Sequence, residues 1–189
     1  MKPYLLVSRI FEPFFVTLIL VILGFFKSPL AVRDKIGLLV FVVVSAVIIP
    51  FLFMVHAVQH KIVRDWDLKD RKERPRLLAL LFIIMLINLI AVKFTGDRFL
   101  FATFAFITVW MLGFMIITLF WKISGHTGVN TLAAGLLITW FGRAYWPVFL
   151  AIPLVAWARV QGKYHSVAQV IAGILYSLVL LYLFHPPAA

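Results

Sequence analysis

Three short polar segments interrupt a chain that is otherwise mostly apolar, and they hold the residue types that phosphoryl transfer requires. They cover residues 65–76, 122–127 and 159–169. Arginine side chains can neutralise the oxygens of a transferred phosphoryl group, and backbone N–H groups at a helix start add to this effect. Of the two histidines in these segments, His126 and His165, one can attack phosphorus while the other protonates the departing oxygen. Such chemistry needs no metal.

The third segment places a histidine near two residues that could orient it and its substrate. If His165 begins the last helix, Gln169 lies one turn further on, on the same face. The glutamine carbonyl could then accept a hydrogen bond from one ring nitrogen and fix which nitrogen points into the preceding loop. Arg159, six residues before the histidine, could fold back over it as an anion clamp.

The composition is that of an integral membrane protein. Of the 189 residues 64% are hydrophobic, whereas a soluble domain is usually about half apolar. The chain has no cysteine, which excludes disulfides, thiolate metal sites and cysteine nucleophiles. A net charge of +11 in a soluble protein would suggest nucleic acid. Here the basic residues lie at the ends of apolar runs, so we expect anionic lipids as partners and no nucleic acid.

Apolar runs between the charges predict an all-α, polytopic membrane bundle with six to seven membrane-embedded helices, in a single domain over residues 1–189. The candidate helices cover residues 10–26, 36–58, 77–94, 99–121, 125–141, 145–158 and 165–184. A full span needs about 20 residues, and the fifth and sixth fall short of it. Pro147 and Pro153 should distort the sixth helix, and Pro50 should bend the second.

Two candidate helices separate each pair of neighbouring polar segments, so all three segments should reach the same face of the membrane. Two-thirds of the 18 lysines and arginines lie on that face, which the positive-inside rule would place in the cytoplasm. Half of these basic residues could be kept for chemistry, however. Without them, the two faces carry equal numbers of lysines and arginines. We expect a multi-pass protein of the plasma (cytoplasmic) membrane, and the charge count favours neither side for the site.

The ordered segments resemble the signatures of the type 2 phosphatidic acid phosphatase superfamily, which includes membrane lipid phosphatases and polyprenyl diphosphate phosphatases. Its motifs are Lys-x6-Arg-Pro, then Ser-Gly-His, then Arg-x5-His-x3-Asp. The resemblance extends over about residues 64–175. The matching residues here are Arg74-Pro75, then Ser124-Gly125-His126, then Arg159 with His165.

The resemblance implies a role for each matching residue and requires no metal or other cofactor. His165 would be the nucleophile that forms a phosphohistidine, and His126 the general acid. The phosphate would be held by Arg74, Arg159, Ser124 and the backbone of Gly125, and Lys122 is a further candidate.

Two positions depart from the family pattern. Asp67 stands where the family's first lysine is expected, so Lys69 or Arg71 is the candidate substitute. Gln169 replaces the motif's aspartate; glutamine can orient the histidine but offers no negative charge to an imidazolium. A histidine followed by this glutamine is similar to the dolichyl diphosphate phosphatase branch. We therefore expect hydrolysis of a lipid phosphate or, preferentially, a polyprenyl diphosphate.

Three alternatives stand beside this interpretation. Asp65, Asp67 and Asp70 are similar to the first aspartate-rich motif of Mg²⁺-dependent membrane prenyltransferases, although no second aspartate cluster follows in the sequence. His56 and His60 lie one turn apart and could bind a metal together with Asp65. The non-enzymatic alternative is a lipid-headgroup binding or scrambling protein on the same bundle.

Overall fold

The computed structural model describes residues 2–184, which form helices and loops without any β-strand, so the all-α prediction is confirmed. Three short helical segments interrupt or precede the longer helices: a π-helical turn, Val44–Ile48, and two 3-10 segments, Arg71–Glu73 and Arg143–Leu150. The α-helices are α1 (Pro3–Ile10), α2 (Pro13–Lys27), α3 (Val32–Val43), α4 (Ile49–Gln59), α5 (Arg74–Lys93), α6 (Arg98–Phe120), α7 (Gly125–Phe141), α8 (Ala151–Gln161) and α9 (Val167–Phe184).

Five helical stretches are long and apolar enough to cross a membrane, by length and composition, and they are compatible with an integral membrane protein. Large side chains such as Phe94 and Phe120 are mostly exposed, which suits contact with lipid better than contact with water. The helices α7 and α8, of 17 and 11 residues, are shorter than a typical span. The five stretches are Pro3–Lys27, Val32–Gln59, Arg71–Lys93, Arg98–Phe120 and Val167–Phe184.

The chain packs as two compact units. The first is named the outer unit for its place in the sequence. It contains the described chain up to Leu20 and from Ile123 onward, and so holds α1, α7, α8 and α9. The second, the central unit, is Val21–Lys122 and holds α3 to α6. The third polar segment and nearly all of the second belong to the outer unit, whereas the first belongs to the central unit.

Close contact between α7 and α9 organises the outer unit. A Cβ atom at Gly173 would lie 2.6 Å from the Ser124 carbonyl oxygen and 2.7 Å from Thr127 Oγ1, so only glycine fits there without displacement. The Thr127 hydroxyl donates to the Val170 carbonyl at 3.1 Å, and the Ser177 hydroxyl donates to the Gly128 carbonyl at 2.9 Å. Small residues and hydroxyl hydrogen bonds of this kind are typical of helix pairs within membranes. They fix the start of α7 against α9.

The central unit has an apolar core and buried polar contacts, one of which joins the π-helical turn to α5. Asn88, which is fully buried, accepts a hydrogen bond at 2.9 Å from the Ser45 hydroxyl in the π-helical turn. That turn directly precedes the helix in which Pro50 lies, so the irregularity expected at Pro50 occurs as a π turn just before it. The core is formed by Phe25, Val42, Ala46, Ile84, Met85, Val92, Leu100 and Phe104.

Several predicted helices have different limits in the structure, and the first and sixth show it most clearly. The first was predicted over residues 10–26, but α1 already begins at Pro3, whose fixed φ suits the first helical turn. A break at Phe11 and Glu12 then separates α1 from α2. The sixth was predicted over residues 145–158; it begins as the 3-10 segment that contains Pro147 and continues as α8 to Gln161. Proline lacks the N–H that an α-helix needs, which favours the 3-10 segment there.

Candidate active site

A capping box formed by Ser166 and Gln169 begins α9. The Ser166 hydroxyl accepts from the Gln169 backbone N–H at 3.3 Å, and the Gln169 side-chain oxygen accepts from the Ser166 backbone N–H at 3.2 Å. These bonds satisfy N–H groups at the start of the helix, and the Gln169 N–H is shared with the Ser166 backbone carbonyl, at 3.1 Å. His165 was predicted to begin the last helix, and that boundary is wrong. Capping by Ser166 starts α9 at Val167 and leaves His165 in the preceding loop.

Gln169 also orients the ring of His165. Its Oε1 lies 3.1 Å from Nδ1 of the histidine. The same oxygen accepts from the Ser166 N–H, which identifies it as the carbonyl end of the amide, and a carbonyl can only accept. In the neutral form of the ring, Nδ1 of His165 therefore carries the proton, and Nε2 is the nitrogen with the lone pair. The residue is only 7% exposed. A buried imidazole whose ring is held in one orientation has the features of a nucleophile.

Arg159 connects the two histidine-bearing segments. Its Nη1 lies 3.5 Å from Nε2 of His126, and its guanidinium carbon stands 4.1 Å from the ring centre of Tyr164. Its backbone carbonyl accepts from the N–H groups of Tyr164 and His165, at 3.1 and 3.3 Å. The side chain is almost completely buried, at 1% exposure. The loop after α8 thus folds back onto Arg159, and the predicted anion clamp is positioned beside His126.

The second polar segment supplies the start of α7. Ser124 is its N-cap residue: the hydroxyl accepts from the Thr127 backbone N–H at 3.3 Å. Its own backbone N–H donates to the carbonyl of Gln169 at 3.1 Å, which joins the second and third segments directly. Gly125 is the first residue of α7, so its N–H is one that the helix leaves without an internal acceptor. His126 follows it in the first turn and is 7% exposed.

In the central unit, three of the predicted phosphate-binding residues, Arg74, Arg71 and Lys122, use their side chains to bind backbone oxygens. The Arg74 Nε donates to the Leu68 carbonyl at 3.1 Å, and Arg74 is buried. Arg71 donates to the Leu119 carbonyl near the end of α6 at 2.7 Å. Lys122 donates to the carbonyl of Lys69 at 2.7 Å. These bonds shape the loop between α4 and α5 and hold it to the end of α6.

The alternative metal sites lack the geometry that metal ligands need. Within residues 2–184, no group of three or more histidine, aspartate or glutamate side chains is placed to hold a metal ion. Asp65 instead accepts from the Asp67 backbone N–H at 3.0 Å, and Asp70 accepts from the Lys72 backbone N–H at 2.9 Å. The carboxylates of Asp65 and Asp70, two of the three that resemble a prenyltransferase motif, therefore serve as local caps of turns.

Glu12 belongs to the site and was not among the predicted residues. Its Oε2 lies 3.5 Å from Nε2 of His126, and 6% of the residue is exposed. A carboxylate inside an apolar N-terminal stretch was the available signal, because ionisable groups in membrane segments tend to be functional. The Ser166-x-x-Gln169 pattern was a second signal, since it is the sequence signature of a capping box.

Comparisons of the chain with protein-family models, with curated proteins and with solved structures find no match. The function is therefore inferred from the chemistry of the site and from the resemblance of its motifs. The outer unit brings together His126, Arg159, His165, Gln169 and Ser124. The remaining candidates, Arg74, Lys69, Arg71 and Lys122, lie in the central unit.

Proposed function

We propose that the protein is a membrane-embedded lipid phosphatase that hydrolyses a lipid phosphate or polyprenyl diphosphate through a phosphohistidine at His165. The observation that carries this proposal is the 3.1 Å contact between Nδ1 of His165 and Oε1 of Gln169. It leaves Nε2 as the nucleophilic nitrogen and prevents the ring from turning away.

In the proposed reaction, Nε2 of His165 attacks phosphorus, and the bond from phosphorus to the lipid oxygen breaks. His126 gives a proton to that oxygen, so the lipid leaves as an alcohol or, from a diphosphate, as a monophosphate. Water then attacks the phosphohistidine, returns a proton to His126 and releases inorganic phosphate. Arg159 stabilises the charge on the phosphoryl oxygens throughout, and the N–H of Gly125 adds a donor at the positive end of α7.

Gln169 gives this site a different character from one with a carboxylate in the same place. An amide oxygen orients the ring of His165 but does not stabilise its positive charge, so the neutral, nucleophilic form is favoured at lower pH. The resemblance to the dolichyl diphosphate phosphatase branch supports a polyprenyl diphosphate as the preferred substrate. Arg74 is proposed as a further phosphate ligand on the resemblance alone.

The lipid tail of the substrate would lie among the helices while its headgroup reaches the polar segments. We propose that α7 and α8 are embedded in the membrane together with the five longer helices, which gives the expected six to seven. The polar start of α7 and the basic end of α8, at Arg159, would then lie at the lipid headgroups of the plasma (cytoplasmic) membrane.

Phosphate release in detergent tests the proposal. The purified protein is assayed on polyprenyl diphosphates, phosphatidic acid and phosphatidylglycerophosphate, with and without chelator. We expect release from at least one of them, activity that persists in chelator, and inhibition by vanadate, which mimics pentacoordinate phosphorus. Activity that is lost in chelator and restored by Mg²⁺ would instead favour the aspartates of the first segment. Binding of these lipids without phosphate release would favour a headgroup-binding or scrambling protein.

A further inference from the structure

Glu12 is a buried carboxylate at the ring nitrogen of the proposed general acid. Its side chain is 8% exposed and that of His126 is 9% exposed. Removing a charge from water is costly unless a partner of opposite charge or several hydrogen bonds compensate. Two such partners face the Glu12 carboxylate: Arg9, which is half exposed, and His126 whenever its ring carries a proton.

The turn that carries Glu12 is fastened to α7 next to the histidine. The Asn130 side-chain NH₂ donates to the Phe11 carbonyl at 3.0 Å and to the His126 carbonyl at 2.8 Å. One amide group thus joins the break between α1 and α2 to the first turn of α7. The backbone next to Glu12 is consequently held close to the backbone of His126, so the position of the carboxylate does not depend on a flexible side chain alone.

Two groups of opposite charge compete for the same ring nitrogen. Glu12 Oε2 and Arg159 Nη1 each lie 3.5 Å from Nε2 of His126. A guanidinium can only donate and favours the neutral ring, whereas a carboxylate can only accept and favours the protonated ring. Arg9 faces the same carboxylate, at 3.4 Å, but its side chain is 51% exposed, so its influence is screened by solvent.

We propose that Glu12 is a positioning residue that keeps a proton on His126 for delivery to the leaving oxygen. The inference rests on the proposed phosphatase function. When a phosphate engages Arg159, its guanidinium turns to the phosphate oxygens and Glu12 remains as the group that favours the charged ring. His126 then transfers its proton as the P–O bond breaks and becomes neutral. It regains a proton from the water that cleaves the phosphohistidine.

Glu12 undergoes no covalent change in either step. A separation of 3.5 Å is longer than a strong hydrogen bond. The carboxylate can therefore stabilise the imidazolium without binding its proton so tightly that transfer is prevented.

The kinetic test compares Glu12→Gln with Arg9→Gln, which removes the Arg9–Glu12 ion pair but keeps the contact to His126. General acid catalysis matters most for a poor leaving group. We expect Glu12→Gln to lower kcat/KM about tenfold on a lipid phosphate, a fraction of the full general-acid effect, and to change it little on 4-nitrophenyl phosphate. Arg9→Gln should resemble the wild type on both substrates. Glu12→Asp, which keeps the charge, should restore part of the lost activity.

A second measurement does not depend on turnover. The ¹⁵N chemical shifts of the His126 ring in detergent, at one near-neutral pH, distinguish a charged from a neutral imidazole. The charged fraction should be lower in Glu12→Gln than in the wild type or Arg9→Gln. An unchanged fraction would overturn the role of Glu12, and so would equal losses of kcat/KM on both substrates. A wild-type protein that releases no phosphate from any substrate would overturn the phosphatase proposal. The ¹⁵N shifts of the His126 ring would still show whether Glu12 favours its protonated form.

Discussion

The outer and central units both concentrate basic side chains near helix ends, but they use them differently. In the outer unit, the guanidinium of Arg159 is buried against the titratable ring of His126, with the carboxylate of Glu12 at the same nitrogen. In the central unit, Arg71 and Lys122 bind backbone carbonyls at 2.7 Å. A carbonyl neither titrates nor reacts, so a cation that is held by one contributes to the shape of a loop.

This difference indicates which charged side chains take part in the proposed reaction. A count of lysines and arginines treats both units alike, since each contributes basic residues to the polar segments. What separates them is the partner: a buried cation facing a titratable group changes where protons lie, whereas one facing a carbonyl does not. We therefore expect a substitution in the outer unit to affect the reaction more than the matching substitution in the central unit.

The largest contrast should be between two histidines. His165→Ala removes the proposed nucleophile, and we expect kcat to fall at least about a thousand-fold, as loss of a nucleophile does in other covalent enzymes. His60→Ala, in the central unit, removes an exposed ring that stacks on His56 at a centroid distance of 4.2 Å and should leave kcat within about twofold, as an exposed substitution usually does. Phosphate release by both purified variants measures this. Equal activities would remove His165 from the mechanism.

The next contrast is between two arginines. Arg159→Lys keeps the charge but loses the planar, multidentate donor set, so kcat/KM should fall about a hundred-fold, as when one transition-state donor is lost. Arg71→Lys can still donate to the carbonyl of Leu119, and we expect kcat/KM within about threefold of wild type because a lysine keeps that single hydrogen bond. The reverse order of losses would mean that the central unit, and not Arg159, provides the main phosphate contact.

A packing contrast tests the helix contact beneath the site. Gly173→Ala places a methyl group against Ser124 and Thr127, and such overpacking should destabilise the protein by about 1–3 kcal/mol. Gly37→Ala in α3 meets nothing within 4 Å and should be neutral or stabilising by up to about 1 kcal/mol, since alanine favours helix. Thermal unfolding in detergent compares the two variants. A Gly173→Ala protein as stable as wild type would show that α7 and α9 are not in close contact.

The smallest effect concerns the pH dependence of His165. Gln169→Glu has the length to keep both capping-box bonds and adds a negative charge beside Nδ1. A carboxylate there raises the pKa of the His165 imidazolium, so the rising limb of kcat/KM should move to higher pH, by up to about one unit for one nearby charge. Gln169→Ala leaves the His165 ring without its orienting contact. It should lower kcat/KM without moving the rising limb of the pH profile to higher pH. If both variants match wild type, Gln169 does not act on the nucleophile.

The sequence predicted the elements that depend on local patterns and missed those that depend on packing. Gly125 to Phe141 was predicted as a helix with the observed limits, because Ser124 caps it and apolar residues follow. The contact between Gln169 and His165 was also predicted, but from a helix start at His165 that is wrong; the capping box at Ser166 turns the Gln169 side chain back to the loop instead. That Arg71 and Lys122 bind carbonyls could not be predicted, because their acceptors, at Leu119 and Lys69, lie 48 and 53 residues away in the chain. The place of Glu12 depends on a fold-back over a longer distance still.

Trapping of the covalent intermediate is the most direct test of whether His165 is the nucleophile. The wild-type protein is mixed with a ³²P-labelled lipid phosphate, quenched in alkali within the first turnover, digested and analysed by mass spectrometry. We predict an acid-labile, alkali-stable phosphoryl group on His165, greater accumulation in His126→Ala with a substrate that has a good leaving group, and none in His165→Ala. Phosphate release without label on His165, or label that persists in His165→Ala, would contradict the account.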